Sequence, residues 1–182
     1  MAVIPNTDPV TQFDPRAFRR ALGQFPTGVC VVTAQVADAT LWMTMSSFNS
    51  LSLDPPLILF SLDRRSRSLP LWERAEGYAI NVLAENQRDL SNRFAWALTK
   101  SGEGLRFTPG IAGAPVLSGV AAVFECTPWA RHDGGDHLLF IAEVERFTVS
   151  ADRAPLVFSK GRYASLQPTE LVAPLWPLDI HY

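Results

Sequence analysis

Residues 120–132 and 137–149 are two apolar-rich runs, separated only by the short segment Asp133-Gly134-Gly135-Asp136. Both runs are rich in β-branched and aromatic residues, which favour strands, and adjacent glycines are typical of a tight hairpin turn. The sequence therefore predicts a long antiparallel hairpin. This hairpin limits the fold to classes that contain an antiparallel sheet.

Four further segments with the composition of strands precede the hairpin: 28–36, 41–48, 57–63 and 77–84. Only short helices are predicted around them, from capping residues and apolar spacing, at 14–23, 69–75 and 85–98. Pro55-Pro56 prevents helix and blocks two ladder donors, so the third strand has to begin afresh at Leu57. About six strands with short helices favour a mainly β fold, a closed or split β-barrel, over a doubly wound parallel sheet. The segment 100–113 is expected to be a surface excursion.

The composition limits the classes of partner. The chain has 182 residues, which suggests one domain, and its formal net charge is −2, so it has no long-range attraction to nucleic acid or anionic lipid. No segment predicts a signal peptide or a membrane span, and we expect a cytoplasmic protein. The hydrophobic content of 47% favours a ligand pocket or a subunit interface. Cys30 and Cys126 are expected to be buried free thiols, because their spacing fits neither a metal site nor a redox pair.

Three stretches lie in one predicted domain, residues 15–165, between an N-terminal extension 1–14 and a C-terminal tail 166–182. The first is a run of serines, 46, 47, 50 and 52, among apolar residues. On a strand that alternates faces, such hydroxyls and the neighbouring amides could contact a ligand, with Met43, Met45 and Phe48 packed opposite. An ordinary solvated strand edge is the alternative, with Ser50 and Ser52 only shaping the turn.

The second stretch, Asp63 to Pro70, closes a strand and opens a helix with two serines and three arginines. Helix-start amides, hydroxyls and a guanidinium together suit a phosphate monoester. The alternative is a capped, solvated helix start. No glycine-rich dinucleotide fingerprint and no Walker loop occurs, so a smaller phosphate-bearing cofactor fits better.

The third stretch places His132 and His137 on either side of the glycine turn. No metal site is expected, because the spacing does not suit a zinc pair. The turn could approach a flat ligand closely while a histidine exchanges a proton, or it could be a plain β-turn with surface histidines. No Gly-x-Ser-x-Gly elbow occurs, so hydrolytic catalysis is not indicated.

Several segments in order resemble the flavin reductase family, the small NAD(P)H:flavin oxidoreductases of two-component monooxygenases. They are FRRALGQFPTGVCVVTA, MTMSSFNSLSLDPPLILFSLD, SRSLP, YAINVLAENQRDLSNRFA, GDH and GRY, and they span about Phe18 to Tyr163. The resemblance implies a split β-barrel of Greek-key type, usually a homodimer, with flavin near the subunit interface and no Rossmann domain.

The resemblance also implies roles for individual residues. The flavin-contacting loop falls on Thr44, Met45, Ser46 and Ser47, and Ser61 and Leu62 continue its wall. The phosphate-binding segment falls on Ser66, Arg67 and Ser68, the anion site already indicated by its residue types. Asn81 and Phe94 match positions at the pocket margin, Tyr163 is implied to pack near the flavin side, and His137 matches a histidine near the bound nicotinamide. Trp42 departs from the family, which usually has a small residue there.

The implied reaction moves hydride from C4 of reduced nicotinamide to flavin N5, which requires two stacked rings and donors for the charge that develops near flavin N1 and O2. The cofactors implied are FMN or FAD, with NADH or NADPH as co-substrate. The leading function is a reductase that supplies diffusing reduced flavin to a monooxygenase. The alternatives are a flavoprotein that reduces another acceptor, such as a metal complex or a corrinoid, and a non-catalytic flavin-binding module.

Overall fold

The computed structural model describes residues 14–96 and 101–166. Within these residues, three short α-helices and a one-turn 3-10 helix accompany twelve strands. The α-helices are α1 (Pro15–Leu22), α2 (Leu69–Trp72) and α3 (Arg88–Trp96), and the 3-10 helix is Ile111–Gly113. The strands are β1 (Thr27–Gly28), β2 (Cys30–Val36), β3 (Ala39–Met45), β4 (Asn49–Leu53), β5 (Pro56–Asp63), β6 (Tyr78–Val82), β7 (Phe107–Pro109), β8 (Pro115–Leu117), β9 (Ala122–Gly134), β10 (His137–Val149), β11 (Val157–Ser159) and β12 (Arg162–Ala164).

One seven-stranded antiparallel sheet forms most of the structure, in the order β3-β2-β6-β9-β10-β5-β4. The predicted hairpin is confirmed as β9–β10, which pairs His137 with Gly134 across a turn in which Gly135 has a φ of 72°. Such a φ suits glycine, which has no Cβ. Strands β3 and β4 end the sheet order, so each leaves one edge without a sheet partner within the described residues.

One face of the sheet encloses an apolar core. Alternate residues of β2, β3, β5, β6 and β10 enter one buried cluster, and Trp72 of α2 closes it from outside the sheet. Phe60 and Phe140 stack at its centre, with ring centroids 5.1 Å apart. The mainly β class with few short helices is confirmed.

A second apolar cluster covers the opposite face of β2, β3 and β6. Its cover consists of α3 and the segment 107–117, where β7 pairs with β8. Residues 101–113 are mostly exposed, as the predicted surface excursion over 100–113 requires, but the segment is not irregular throughout, because β7 within it pairs with β8. Glycines and prolines there form a short hairpin whose apolar residues, Leu117 among them, pack onto the sheet.

Strand boundaries differ from the prediction around the serines. The segment predicted as strand 41–48 leaves the sheet after Met45, so Ser46 and Ser47 lie just beyond the strand end. Ser50 and Ser52 lie in β4, which pairs with β5 through a bulge, and not in a turn. The hairpin between β4 and β5 turns through a cis Asp54–Pro55 bond.

A three-stranded sheet that the sequence patterns did not predict joins distant parts of the chain. Strand β1 pairs with β11, and β11 pairs with β12. These strands are only two or three residues long, too short to show a periodic pattern. They carry residues 157–164 to the start of β2.

Cys30 and Cys126 are buried and unpaired, as predicted, and burial raises the pKa of each thiol to about 12. Within residues 14–96 and 101–166, no helix has the length and apolar character needed to cross a bilayer. Residues 1–13 of the predicted extension 1–14 and residues 167–182 of the predicted tail 166–182 lie outside the described residues, so the predicted domain boundaries stay predictions.

Candidate functional site

A cavity of about 300 Å³ lies at the end of β3. We call it the strand-end cavity. Three of the predicted flavin-contacting residues line it, and Tyr163, predicted to lie near the flavin side, lines the opposite wall. Its lining includes Thr44, Met45, Ser46, Ser91, Asn92, Phe158 and Tyr163. The structure thus brings residues from β3, α3 and β12 around one space.

Hydrogen bonds fix the walls of this cavity to one another. Thr44 Oγ1 donates to the carbonyl of Ser91 at 2.6 Å, which joins β3 to α3. Tyr163 Oη lies 2.9 Å from Ser91 Oγ and 2.7 Å from Asn92 Oδ1, which joins β12 to the same helix. Ser91 therefore connects both walls.

The two serines after β3 have different surroundings. The hydroxyl of Ser47 accepts from the amide of Ser61 at 3.1 Å and donates to the Ser61 carbonyl at 3.2 Å. Ser46 is exposed, and its hydroxyl has no hydrogen-bond partner among the described residues. The backbone amides of both serines also donate to no described residue. They are therefore available to an acceptor on a ligand.

A second cavity, of about 280 Å³, lies beside the first part of β3. We call it the serine–arginine cavity, because Ser66, Arg67 and Ser68 line it together with Thr40 to Met43. Ser66 Oγ lies 3.1 Å from Ser68 Oγ, which also accepts from Trp72 Nε1 at 3.2 Å. The backbone amides of Arg67 and Ser68 donate to no described residue. Two amides, two hydroxyls and a guanidinium are donors suited to a phosphate.

Both cavities lie along one edge strand. Strand β3 ends the sheet order, and its residues 40–43 line the serine–arginine cavity while residues 44–45 line the strand-end cavity. An edge strand presents main-chain donors and acceptors away from its sheet partner. The two ends of the predicted cofactor site are therefore connected by a row of backbone polar groups.

The hairpin tip lies next to the serine–arginine segment. The ladder between β5 and β10 pairs His137 with Asp63, three residues before Ser66. Arg64 contacts this tip, since its side chain pairs with Asp133 and its amide donates to the carbonyl of Asp136 at 2.9 Å. His137 lines neither cavity.

Charges around His137 are paired. His137 Nδ1 lies 2.7 Å from Asp136 Oδ1, and this hydrogen bond holds the pKa of Asp136 below its ordinary value. Asp63 accepts from the side chain and amide of Arg65, and these bonds hold its pKa far below the usual range. Both carboxylates stay ionised beside the histidine across the physiological pH range.

Three predicted site residues lie in the interior. Leu62 is in the core of the sheet, and Phe94, fully buried, packs in the second cluster. Asn81 is also fully buried, and its amide nitrogen donates to the carbonyls of Val31 and Pro115 while its oxygen accepts from Leu117 N at 2.8 Å. In this arrangement Asn81 anchors the β8 segment to the sheet, and it has no polar atom free for a ligand.

Trp42 also lies in the interior. Its indole is 3% exposed and stacks on Phe94, with ring centroids 4.9 Å apart and planes 8° apart. Phe107 contacts it edge-on at 5.5 Å. A Cβ at Gly102 would clash with the indole, so the large residue at 42 is accommodated by the absence of a side chain at 102. Only part of Trp42 reaches the serine–arginine cavity.

Ser91, Asn92 and Phe158 line the strand-end cavity but were not predicted as site residues. A signal for the first two exists in the sequence. Ser91, Asn92 and Ala95 fall on one side of the predicted helix 85–98, as a small and polar strip beside its apolar face. Phe158 lies on a strand of three residues, too short to carry a pattern.

The fold and these two cavities define a mainly β protein with a donor-lined site along one edge strand. Residues 22–167 match the flavin reductase like domain. The chain belongs to the flavin reductase family. It is similar to the reductase subunit HsaB of a flavin-dependent monooxygenase from Mycobacterium tuberculosis, at 36% identity over 93% of this chain and 91% of the relative. It is 43% identical to the FMN reductase (NADH) SmoA of Agrobacterium fabrum, over 81% of this chain and 84% of that protein.

A solved structure gives the same assignment. The NADH:FAD oxidoreductase SgcE6 of Streptomyces globisporus, in complex with NAD and FAD fragments, superposes with a TM-score of 0.82. The match covers 88% of this chain and 99% of that chain at 32% identity. This protein is accordingly an oxidoreductase, a flavin reductase.

Proposed function

We propose that this protein uses NADH or NADPH to reduce FMN or FAD, which then leaves to serve a separate monooxygenase. The observation that carries the proposal is the arrangement of both donor-lined cavities along one edge strand, β3. A flavin has a ring with polar edges at one end and a phosphate at the other. Two separated sets of donors on one strand suit such a ligand.

The residues present fit a flavin in two respects. The free amides of Arg67 and Ser68, with the hydroxyls of Ser66 and Ser68, would bind its phosphate. The free amide of Ser46, which lines the strand-end cavity, and that of the next residue, Ser47, would donate to the ring edge near N1 and O2, where negative charge develops on reduction. Bound flavin supplies a hydride acceptor at N5.

His137 is proposed to position the nicotinamide. Its neighbours Asp136 and Asp63 are ionised, and the bond to Asp136 fixes the imidazole through Nδ1. Nε2 is thereby left to face a ligand. Leu62, Asn81 and Phe94 support the site from the core in this proposal, and Ser61 holds the loop through Ser47.

The oligomeric state is proposed to be a homodimer. Phe48, Phe124 and Phe147 form a row of stacked rings with centroid distances of 5.6 and 6.3 Å. Phe147 at the end of this row is 64% exposed, and Val149 nearby in β10 is 68% exposed. Apolar side chains exposed together at a strand end favour coverage by a second copy.

The proposal of an oxygenase partner comes from two similar proteins that are reductase components of monooxygenases. One is the reductase subunit HsaB of a flavin-dependent monooxygenase, and the other is the flavin reductase of the styrene monooxygenase from Pseudomonas putida. The substrate of the partner oxygenase does not follow from this chain. The cytoplasmic location stays a prediction.

The test is a titration of the purified protein with FMN, FAD and riboflavin, followed by NADH or NADPH while nicotinamide absorbance is measured. Oxidation of many equivalents with excess free flavin is the expected result. Oxidation that stops at one equivalent per bound flavin would favour reduction of another acceptor, and no oxidation with any pair would favour a binding module.

A further inference from the structure

A small cavity of about 200 Å³ lies between the end of α1 and the β11–β12 hairpin. We call it the helix-end cavity. Leu22, Gly23, Phe25 and Lys160 line it. The amide of Lys160 donates to the carbonyl of Gly23 at 2.8 Å, which fixes the hairpin turn against the helix end. Lys160 has a φ of 51°, so its backbone is held in the left-handed region at this contact.

The helix-end cavity adjoins the strand-end cavity. Ser46, Phe158 and Gly161 line both. A ligand that stacks on a flavin ring in the strand-end cavity can therefore extend past the hairpin turn to the end of α1.

The surface around the helix-end cavity is basic, although the chain has a formal net charge of −2. Arg19 lies three residues before Leu22 and four before Gly23, and so shares their face of α1. Arg19, Arg20 and Lys160 are exposed. Among the described residues the only carboxylate within ion-pair distance of these cations is Asp14, 4.0 Å from Arg20 and itself half exposed. Arg19 and Lys160 therefore keep uncompensated charge beside the cavity.

This basic surface is separate from the phosphate donors of the serine–arginine cavity. Those donors lie beside residues 40–43 of β3, whereas the helix-end cavity joins the site at Ser46, beyond the other end of that strand. A flavin phosphate in the serine–arginine cavity leaves the cations of α1 unused. The second reactant, a reduced nicotinamide dinucleotide, carries a diphosphate and an adenine.

We propose that Arg19 and Lys160 bind the diphosphate of the reduced nicotinamide dinucleotide at the helix-end cavity, with Phe25 as a stacking surface for the adenine. This rests on the proposed function. Phe25 lines the cavity and is 77% exposed. An exposed aromatic face beside two cations is suited to a nucleotide. Arginine and lysine side chains reach phosphate oxygens as charge-assisted donors.

The experiment compares two hydride donors on the full chain: NADH, and the uncharged 1-benzyl-1,4-dihydronicotinamide, which has neither diphosphate nor adenine. The variants are Arg19→Gln with Lys160→Gln, and Arg153→Gln as a control that removes one exposed positive charge from a residue that lines a different cavity. Losing two charged contacts should raise KM for NADH about tenfold or more, with kcat and the Kd for FMN nearly unchanged. The rate with the uncharged donor should stay at the wild-type value. Added salt should raise KM for NADH in the wild type and hardly in the double variant.

Each other outcome opposes the proposal. An unchanged KM for NADH overturns it, and so does a KM no more sensitive than that of Arg153→Gln. A weaker Kd for FMN would assign the cations to the flavin phosphate. Equal losses with both donors would mean structural damage to the hairpin turn, which circular dichroism would reveal, and Arg19→Gln alone then decides the outcome because it leaves that turn intact. A wild-type protein that oxidises neither donor would refute the proposed function itself.

Discussion

The hydroxyl of Ser47 bonds both main-chain polar groups of Ser61, accepting from its amide at 3.1 Å and donating to its carbonyl at 3.2 Å. On its other side Ser61 pairs with Leu139 of β10. Strand β4 reaches only to Asn49 opposite Leu59, so the Ser47 side chain takes the place of a further strand residue. The loop after β3 is thereby held against β5 by one side chain.

Replacing Ser47 with alanine should destabilise the protein by about 1–2 kcal/mol, because the backbone amide and carbonyl of Ser61 both lose their hydrogen-bond partner. Ser46→Ala is the matched control, since its exposed hydroxyl has no described partner, and its free energy of unfolding should equal that of the wild type. Chemical unfolding followed by circular dichroism measures both. Equal stability of the two variants would remove the structural role assigned to Ser47.

Replacing Ser66 with alanine should weaken FMN binding about tenfold while the Kd for riboflavin changes little, because only FMN carries the phosphate. Ser66 is chosen over Ser68 because the hydroxyl of Ser68 also accepts a hydrogen bond from Trp72 Nε1, which its removal would break. Fluorescence quenching of each flavin gives the two constants. Equal losses for riboflavin and FMN would contradict a phosphate site at this position.

Replacing His137 with alanine should slow hydride transfer from NADH more than it weakens flavin binding, because the imidazole is proposed to contact the nicotinamide and not the flavin. His132→Ala is the control, since His132 is an exposed residue of the same hairpin. Single-turnover stopped-flow measurements, with flavin prebound, separate the two effects. Hydride-transfer rates unchanged from the wild type would exclude His137 from the reaction.

Replacing Trp42 with alanine should cost about 3–5 kcal/mol in the free energy of unfolding, because a buried indole stacked on Phe94 leaves a cavity. Trp42→Phe should cost clearly less, since a smaller ring can still stack on Phe94. A double-mutant cycle with Phe94→Leu, measured in urea, should show coupling between the two positions. Additive losses would mean that the stacked rings do not support each other.

Glu125 predicts how stability depends on pH. The Arg146 guanidinium, bidentate at 2.7 Å, and the amide of Ile111 hold the pKa of this buried carboxyl below its ordinary value. A depressed pKa in the folded state means that the carboxylate stabilises the protein above its unfolded value of about 4.3 and that this contribution is lost as the pH falls through the folded value.

Replacing Glu125 with glutamine should therefore lower the free energy of unfolding by about 1–2 kcal/mol at pH 7, because Arg146 loses its carboxylate partner. The loss is no larger because Arg146 is largely exposed and solvent partly screens the pair. The difference between wild type and variant should shrink steadily below about pH 4. Urea unfolding at a series of pH values measures it. A difference that stays constant from pH 7 to strongly acid conditions would contradict the assigned ion pair.

The parts of the fold that the sequence predicted are those with a long regular pattern. Thirteen-residue strands such as β9 and β10 repeat their composition over many residues and meet at a glycine turn, so their pairing can be inferred. Strands β1, β11 and β12 have too few residues to show alternation. In addition, β1 and β11, which pair with each other, lie more than a hundred residues apart in the sequence. Long-range pairing of this kind leaves no local signal.

The candidate site shows the same division. Ser66 to Ser68 combine donors in one short segment, and both the residue types and the resemblance indicated an anion site there. Asn81 and Trp42 could not be placed from residue type alone. A polar side chain in a strand and a large indole are each compatible with a pocket or with the interior. The hydrogen bond that Asn81 donates to the Pro115 carbonyl and the stacking of Trp42 on Phe94 place both side chains in the interior.

The pairing of β1 with β11 makes the strand-end cavity depend on a part of the chain that the seven-stranded sheet does not contain. All seven strands of that sheet end by residue 149, whereas Phe158 and Tyr163, which line the strand-end cavity, come later in the chain. A variant truncated shortly after β10 would retain every strand of the large sheet, but it would lack two walls of the cavity and also Leu156, which is buried in the second apolar cluster. Such a truncation should abolish flavin binding even where the large sheet still forms.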